Sequence, residues 1–179
     1  MYHDKRSMRI VVVINCVLNQ NARAPGAAVF PGMNTKVIDV LRKHKVGVLQ
    51  MPCPEMICLG LLRSRPEGTS IWDIIDTQDG RKCCRRLSVF VADQIEEFLN
   101  NGFKVLAILG GDVGSPGCAV HTSDEKGYEL VEGSGVFMRE LYSELKRRGI
   151  RIPFRGIRDS DQNRLMEDIR WIDNLLAEP

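Results

Sequence analysis

This 179-residue sequence predicts an α/β fold, with a parallel sheet covered by helices. Three observations carry the prediction. Short continuous runs of apolar, mostly β-branched residues recur along the chain, as in strands buried on both faces. Amphipathic segments of helical period lie between those runs. Gly102 and Gly149 follow two of these segments, where helices commonly stop.

Each element follows in order. RIVVVINC (9–16) reads as a first strand, VGVLQMPC (46–53) as a second and FKVLAILG (103–110) as a third, all three as buried runs. RIPFRG (151–156) is a weaker fourth. Among the helices, MNTKVIDVLRKH (33–44) sets Val37, Val40 and Leu41 on one face. LSVFVADQIEEFLNNG (87–102) gathers Phe90, Val91, Ile95, Phe98 and Leu99, and GVFMRELYSELKRRG (135–149) repeats the pattern. DSDQNRLMEDIRWIDNLLAE (159–178) is the last helix, with Asp159 or Ser160 as its cap. No internal repeat, low-complexity tract or linker interrupts the alternation, so residues 1–179 read as one Rossmann-like domain.

Composition narrows the setting. Hydrophobic residues make up 44% and charged residues 27%, the mix of a globular chain. A net charge of +2 gives no field that argues for nucleic acid or an anionic membrane. No apolar run is long enough to span a bilayer. MYHDKRSMRIVVVINC lacks a small-residue cleavage site and reads as a first strand rather than a signal peptide. A cytoplasmic location is therefore expected, in which six cysteines serve as thiols or metal ligands rather than as a disulfide framework.

In open α/β sheets ligands bind outside the carboxyl ends of the strands. Cys16 ends the first expected strand, Cys53 ends the second in MPCPE, and Cys118 follows the third within ILGGDVGSPGCAVHTSDEKG. Three of the six cysteines thus fall at one edge of the sheet, from three different loops. Converging thiolates suit zinc, copper(I) or an iron–sulfur cluster, and three protein ligands leave one position open for chemistry. Backbone N–H groups of the glycine-rich loop can stabilise accumulated negative charge. His121 stands three residues after Cys118 and would complete a zinc site. Cys58 reads as core packing, and Cys83 and Cys84 in RKCCRR as a basic helix entrance. Arg63 and Arg65 in LLRSRPEG sit on a solvated loop, with an anionic substrate as the functional alternative.

Four segments, INCVLN (14–19), MPCPE (51–55), GSPGCAV (114–120) and GSGVFMREL (133–141), carry a resemblance. Over about residues 9–157 the chain resembles the family of domain of unknown function 523, which includes the thiouracil desulfidases, and is similar to a divergent branch of it. The resemblance implies a [4Fe-4S] cluster held by Cys16, Cys53 and Cys118, with one iron free of protein ligands. It further implies hydrolysis of a thiocarbonyl compound, a small thiolated heterocycle, with loss of sulfide. Glu55 is then the base that activates water and Ser115 a hydrogen-bonding partner of substrate or cluster. Asn15, Asn19 and Asp112 would face the heterocycle, and Asp112 is the next candidate for the base. The chain departs from the family at SPGCAV, where SPSCG is usual, and at CVLN, where CLLG is usual. A Lys-Glu pair common before the turn is replaced by Gly110, Gly111 and Asp112. Those changes bear on the pocket and so on the substrate. Two other functions stay open: a zinc hydrolase on the same cysteines, and a non-catalytic iron–sulfur or nucleotide-binding sensor. Homodimerisation is also left open.

Overall fold

The computed structural model describes residues 4–178. Among them four strands form one parallel sheet in the order β2-β1-β3-β4: β1 (Arg9–Ile14), β2 (Gly47–Met51), β3 (Lys104–Gly110) and β4 (Phe154–Gly156). The helices are α1 (Asn15–Leu18), α2 (Thr35–Lys43), α3 (Pro54–Leu59), α4 (Ile71–Ile75), α5 (Gln78–Asn100), α6 (Val136–Arg147) and α7 (Gln162–Ala177). A 3-10 turn covers Gln20–Ala22. The Rossmann-like class read from the sequence is the observed one.

Strand order explains burial. β1 lies between β2 and β3, and Val11, Val12, Val13 and Ile14 are fully buried. β2 is the outermost strand on its side, so Gly47, Val48 and Gln50 are exposed. The expectation of a fully buried second strand is therefore corrected: an edge strand with apolar residues looks like an interior one in sequence. α5 packs along α6, and α2 packs against α7.

Several element boundaries differ from expectation. α5 begins at Gln78 rather than near residue 87, because the Thr77 side chain accepts from Gly80 N at 3.2 Å and caps it there. RKCCRR is consequently inside the helix, not at its entrance. α7 is capped by Asp161, whose side chain accepts from Asn163 N and Arg164 N. Asp159 and Ser160, the expected caps, have tertiary partners instead. Gly102 (φ 80°) and Gly149 (φ 71°) do follow α5 and α6 in the left-handed conformation that ends a helix. The expectation of unpaired thiols is corrected too: Cys58 of α3 and Cys83 of α5 form a disulfide. Among the described residues no helix is long and apolar enough to cross a membrane.

The chain leaves β1 toward β2 on one side and later adds β3 and β4 on the other. That reversal creates the crevice at which doubly wound sheets bind ligands, at the carboxyl ends of β1 and β3.

Candidate functional site

Cys16, Cys53 and Cys118 come from the loops after β1, β2 and β3 and meet around this crevice. Neither Cys16 nor Cys53 is in a strand. Cys16 lies in the single turn of α1, and Cys53 is the N-cap residue of α3, two residues past β2. Cys118 lies on the turn that closes where Gly111 N donates to Cys118 O at 2.8 Å. All three are free thiols and nearly buried, at 8%, 7% and 5% exposure.

Their chemistry follows from burial. The Cys16 thiol is pushed up to about 11, mainly by loss of solvent, with the neighbouring Cys53 adding to the shift and Arg23 opposing it. The Cys53 thiol is also raised by burial, against the pull of the Met56 amide and Arg63. Cys118 is raised well above the ordinary thiol range, by burial first and then by Cys16, Glu55 and Cys53. The three sulfurs are thus within electrostatic reach of one another. Left to themselves they are neutral, and a cation that binds them must displace their protons.

Glu55 fixes the glycine-rich turn. It stands in the first turn of α3, but its carboxylate reaches away from that helix: Ser115 Oγ donates to Oε1 at 2.8 Å and Gly117 N donates to it at 3.1 Å. Ser115 Oγ is also 3.1 Å from Cys118 Sγ and accepts from Cys118 N at 3.3 Å. Because the single hydroxyl proton of Ser115 goes to Glu55, the thiol of Cys118 is the donor in their contact. A proton path therefore runs from Cys118 through Ser115 to Glu55. Glycines let the turn lie down. A Cβ at Gly117 would fall 2.7 Å from Pro54 Cγ, and one at Gly111 would fall 2.5 Å from Cys118 Sγ. The start of α6 supports the turn from behind, with Val136 N donating to Pro116 O and Phe137 N to Gly117 O. This is the structural use of the GSGVFM stretch.

Two arginines complete the site. Arg23 donates to Cys16 Sγ at 3.8 Å and to both oxygens of Asp159 at 2.7 Å. Asp159 is 1% exposed and also accepts from Asn34 Nδ2, so the loop after β4 joins the site through Arg23. The Arg23 guanidinium is held charged by Asp159 against the cost of its own burial. Arg63 is 1% exposed, which corrects the expectation of a solvated loop residue. Its Nη2 donates to Cys53 Sγ at 3.4 Å, and its Nε has no hydrogen-bond partner among the described residues. An unpaired buried N–H costs about 1–3 kcal/mol. Arg23, Asp159 and Asn34 were not legible as site residues, since only distant loops bring them here, and Arg63 was read only as a solvated residue that an anionic substrate could meet.

The remaining candidates are placed differently. Asn15 is buried and its Oδ1 accepts from Gln50 Nε2 at 2.6 Å. Asn19 caps the Gln20–Ala22 turn by accepting from Asn21 N and Nδ2. Asp112 accepts from the amide and hydroxyl of Ser160, which hold its carboxyl below the usual range although burial opposes them. All three side chains have structural partners. His121 Nε2 is 3.2 Å from Val113 O, a contact in which the ring donates, and it is not gathered with the cysteines. Arg65 is exposed and donates to Thr69 O. Cys84 is fully buried in the core, its thiol pushed up to about 12 by loss of solvent.

Among the described residues no three His, Cys, Asp or Glu side chains stand close enough to grip a single metal ion. The donor set nonetheless fits a cluster. Its three thiols come from three separate loops and would bind separate irons, while Arg23 and Arg63 supply N–H donors to two of the sulfurs. Gly111 lets the turn pack directly against the Cys118 sulfur, and Arg63 Nε stays free of hydrogen bonds among the described residues.

Comparison with known proteins gives one match. The chain is similar to uncharacterized protein MJ0003 of Methanocaldococcus jannaschii, 28% identical over 145 residues that cover 81% of this chain and 83% of that one. No family model and no solved structure matches.

Proposed function

We propose that this protein is an iron–sulfur desulfidase, which replaces the sulfur of a small thiocarbonyl compound by oxygen and releases it as sulfide. The reading rests on one observation: of three thiols from three loops at the switch point, one lies 3.1 Å from a hydroxyl that is hydrogen-bonded to a buried carboxylate. The resemblance in INCVLN, MPCPE and GSPGCAV supports it at the same residues.

Cys16, Cys53 and Cys118 would hold the cluster. Bound there by three residues, a [4Fe-4S] cluster would supply Lewis acidity toward the sulfur of the thiocarbonyl group. The chain does the rest. Glu55 Oε1 is occupied by Ser115 and Gly117, whereas Oε2 accepts no hydrogen bond among the described residues, so Oε2 is the oxygen that takes a proton from water. Ser115 keeps the carboxylate aimed and touches Cys118. The balance is hydrolytic: water and C=S give C=O and hydrogen sulfide, with no net oxidation. A thiolated heterocycle such as thiouracil is the substrate class.

Anaerobic reconstitution with iron and sulfide tests this. Brown protein with iron and acid-labile sulfide, releasing sulfide from 2- or 4-thiouracil, is the expected result. Protein that stays colourless, or that keeps its iron after Cys16, Cys53 and Cys118 are all changed to serine, would overturn it.

A further inference from the structure

We propose that Arg63 is a positioning residue that ties the ligand Cys53 to the base Glu55. This inference rests on the reading above and adds a residue to it.

Arg63 is the largest side chain among those the fold buries completely. Its guanidinium is fixed from three directions. Nη1 donates to Leu61 O, Nη2 donates to Ala22 O, and Nη2 also donates to Cys53 Sγ at 3.4 Å. Ala22 lies on the loop after β1 and Leu61 on the segment after α3, so one side chain joins two of the three thiol-bearing loops. The backbone at Arg63 is left-handed, at φ 52°, a conformation uncommon for a side chain of this size. Strained residues that persist in a well-packed setting cluster at functional sites.

Nε carries the functional argument. It is buried, has no hydrogen-bond partner among the described residues, and faces Glu55 Oε2 at 3.7 Å. At that separation the cation attracts and orients the carboxylate, but donates no hydrogen bond to it. Oε2 is therefore held in place with its lone pairs free, as a base requires. The same guanidinium donates to Cys53 Sγ, so ligand and base share one rigid support. Lysine could supply the charge but not the planar fork that reaches both carbonyls and the sulfur.

The test uses full-length protein reconstituted anaerobically, with Arg63→Ala and Arg63→Lys beside wild type. Iron content, the visible circular dichroism of the cluster and sulfide release from thiouracil are measured. In Arg63→Ala, turnover should fall by about 10²-fold, the scale of a small misplacement at a reacting centre, and the visible spectrum should change. Ethylguanidinium at millimolar concentration should restore part of both, and ethylammonium should not. Arg63→Lys should hold iron yet share the altered spectrum, and it carries the test if Arg63→Ala does not fold. Brown Arg63 variants with wild-type spectrum and turnover would overturn this inference alone. So would equal rescue by the two amines, which would reduce Arg63 to a simple charge. Colourless wild-type protein would instead overturn the desulfidase reading itself.

Discussion

Ser115 Oγ donates a hydrogen bond of 2.8 Å to Glu55 Oε1, joining the loop after β3 to the first turn after β2. The bond decides how a substitution at residue 55 should behave. Glu55→Gln keeps an oxygen to accept from Ser115 and Gly117 but loses basicity and the charge that faces Arg63. Turnover should fall by ~10²–10⁴-fold with iron content close to wild type. Glu55→Ala leaves the Ser115 hydroxyl and the Gly117 amide without their acceptor, and should cost about 1–3 kcal/mol of stability as well. A folded, iron-replete Glu55→Gln protein of full activity would remove Glu55 as the base.

The six cysteines divide into three kinds, and serine substitution should sort them. Cys16→Ser, Cys53→Ser and Cys118→Ser should each lose most of the iron. Cys84 sits in the core, and Cys58 and Cys83 are paired with each other, so their serine variants should bind iron at the wild-type level. Iron analysis of the six single variants checks this. If Cys83→Ser lost as much iron as Cys53→Ser, the assignment of ligands would be wrong.

The Cys58–Cys83 disulfide closes a loop across a sequence separation of 25 residues and ties α3 to α5. Cross-links of that span stabilise by about 3 kcal/mol, chiefly by restricting the unfolded chain. Cys58→Ser/Cys83→Ser should therefore be less stable by about that amount, read as a lower urea midpoint. Alkylation of the unfolded, unreduced protein should modify four cysteines, the free ones at 16, 53, 84 and 118. Six modified cysteines without a reductant would refute the pairing.

Glu144 gives stability a pH dependence. Hydrogen bonds from Arg147 and then Arg148 lower its carboxyl to about 2, from an ordinary value of 4.5. A group depressed in the folded state stabilises above its unfolded value, and that stability is lost as pH falls through 4.5 toward 2. Arg147 is largely exposed, so the contribution is discounted to about 0.5–1 kcal/mol. Glu144→Gln should be less stable than wild type at pH 7, and the gap should narrow steadily as pH falls from 4.5 to 3. A gap of constant size across urea titrations from pH 7 to pH 3 would show that Glu144 is not its source.

What the sequence revealed tracked how local each cause is. β1 was legible because a central strand is apolar on both faces, and Cys118 because a glycine-rich turn follows an obvious strand. β2 was read as buried because Val48 and Leu49 are apolar whether or not a neighbour covers them. The cap of α7 was missed by one or two residues, since Asp159, Ser160 and Asp161 are all good caps and tertiary partners take the first two. The burial of Arg63 and Arg23 was invisible for a stronger reason. Their burial depends on Ala22 O and Asp159, groups 41 and 136 residues away, and no spacing within LLRSRPEG or NARAPG encodes such a contact. The disulfide was hidden because α5 starts nine residues before its apolar stripe becomes regular, which puts Cys83 on a helix facing α3.

Gly117 offers the last test, because the turn leaves no room for a side chain there. In this structure a Cβ at residue 117 would lie 2.7 Å from Pro54 Cγ and 3.1 Å from Glu55 Cγ. Proline's ring cannot rotate aside, so Gly117→Ser must lift the turn away from α3. Lifting it stretches the Gly117 N–Glu55 Oε1 bond of 3.1 Å and carries Ser115 off the same oxygen. Overpacking of this kind typically costs about 1–3 kcal/mol, and turnover should drop more than stability does, since the carboxylate loses both of its guides. Glu55→Ala relieves part of the clash by removing Cγ, and Gly117→Ser should therefore destabilise the Glu55→Ala protein less than it does the wild type. Urea unfolding of the two single variants and the double variant measures that coupling. Strict additivity would mean that residue 117 and Glu55 are not in the contact described, and that the turn reaches Cys118 by another support.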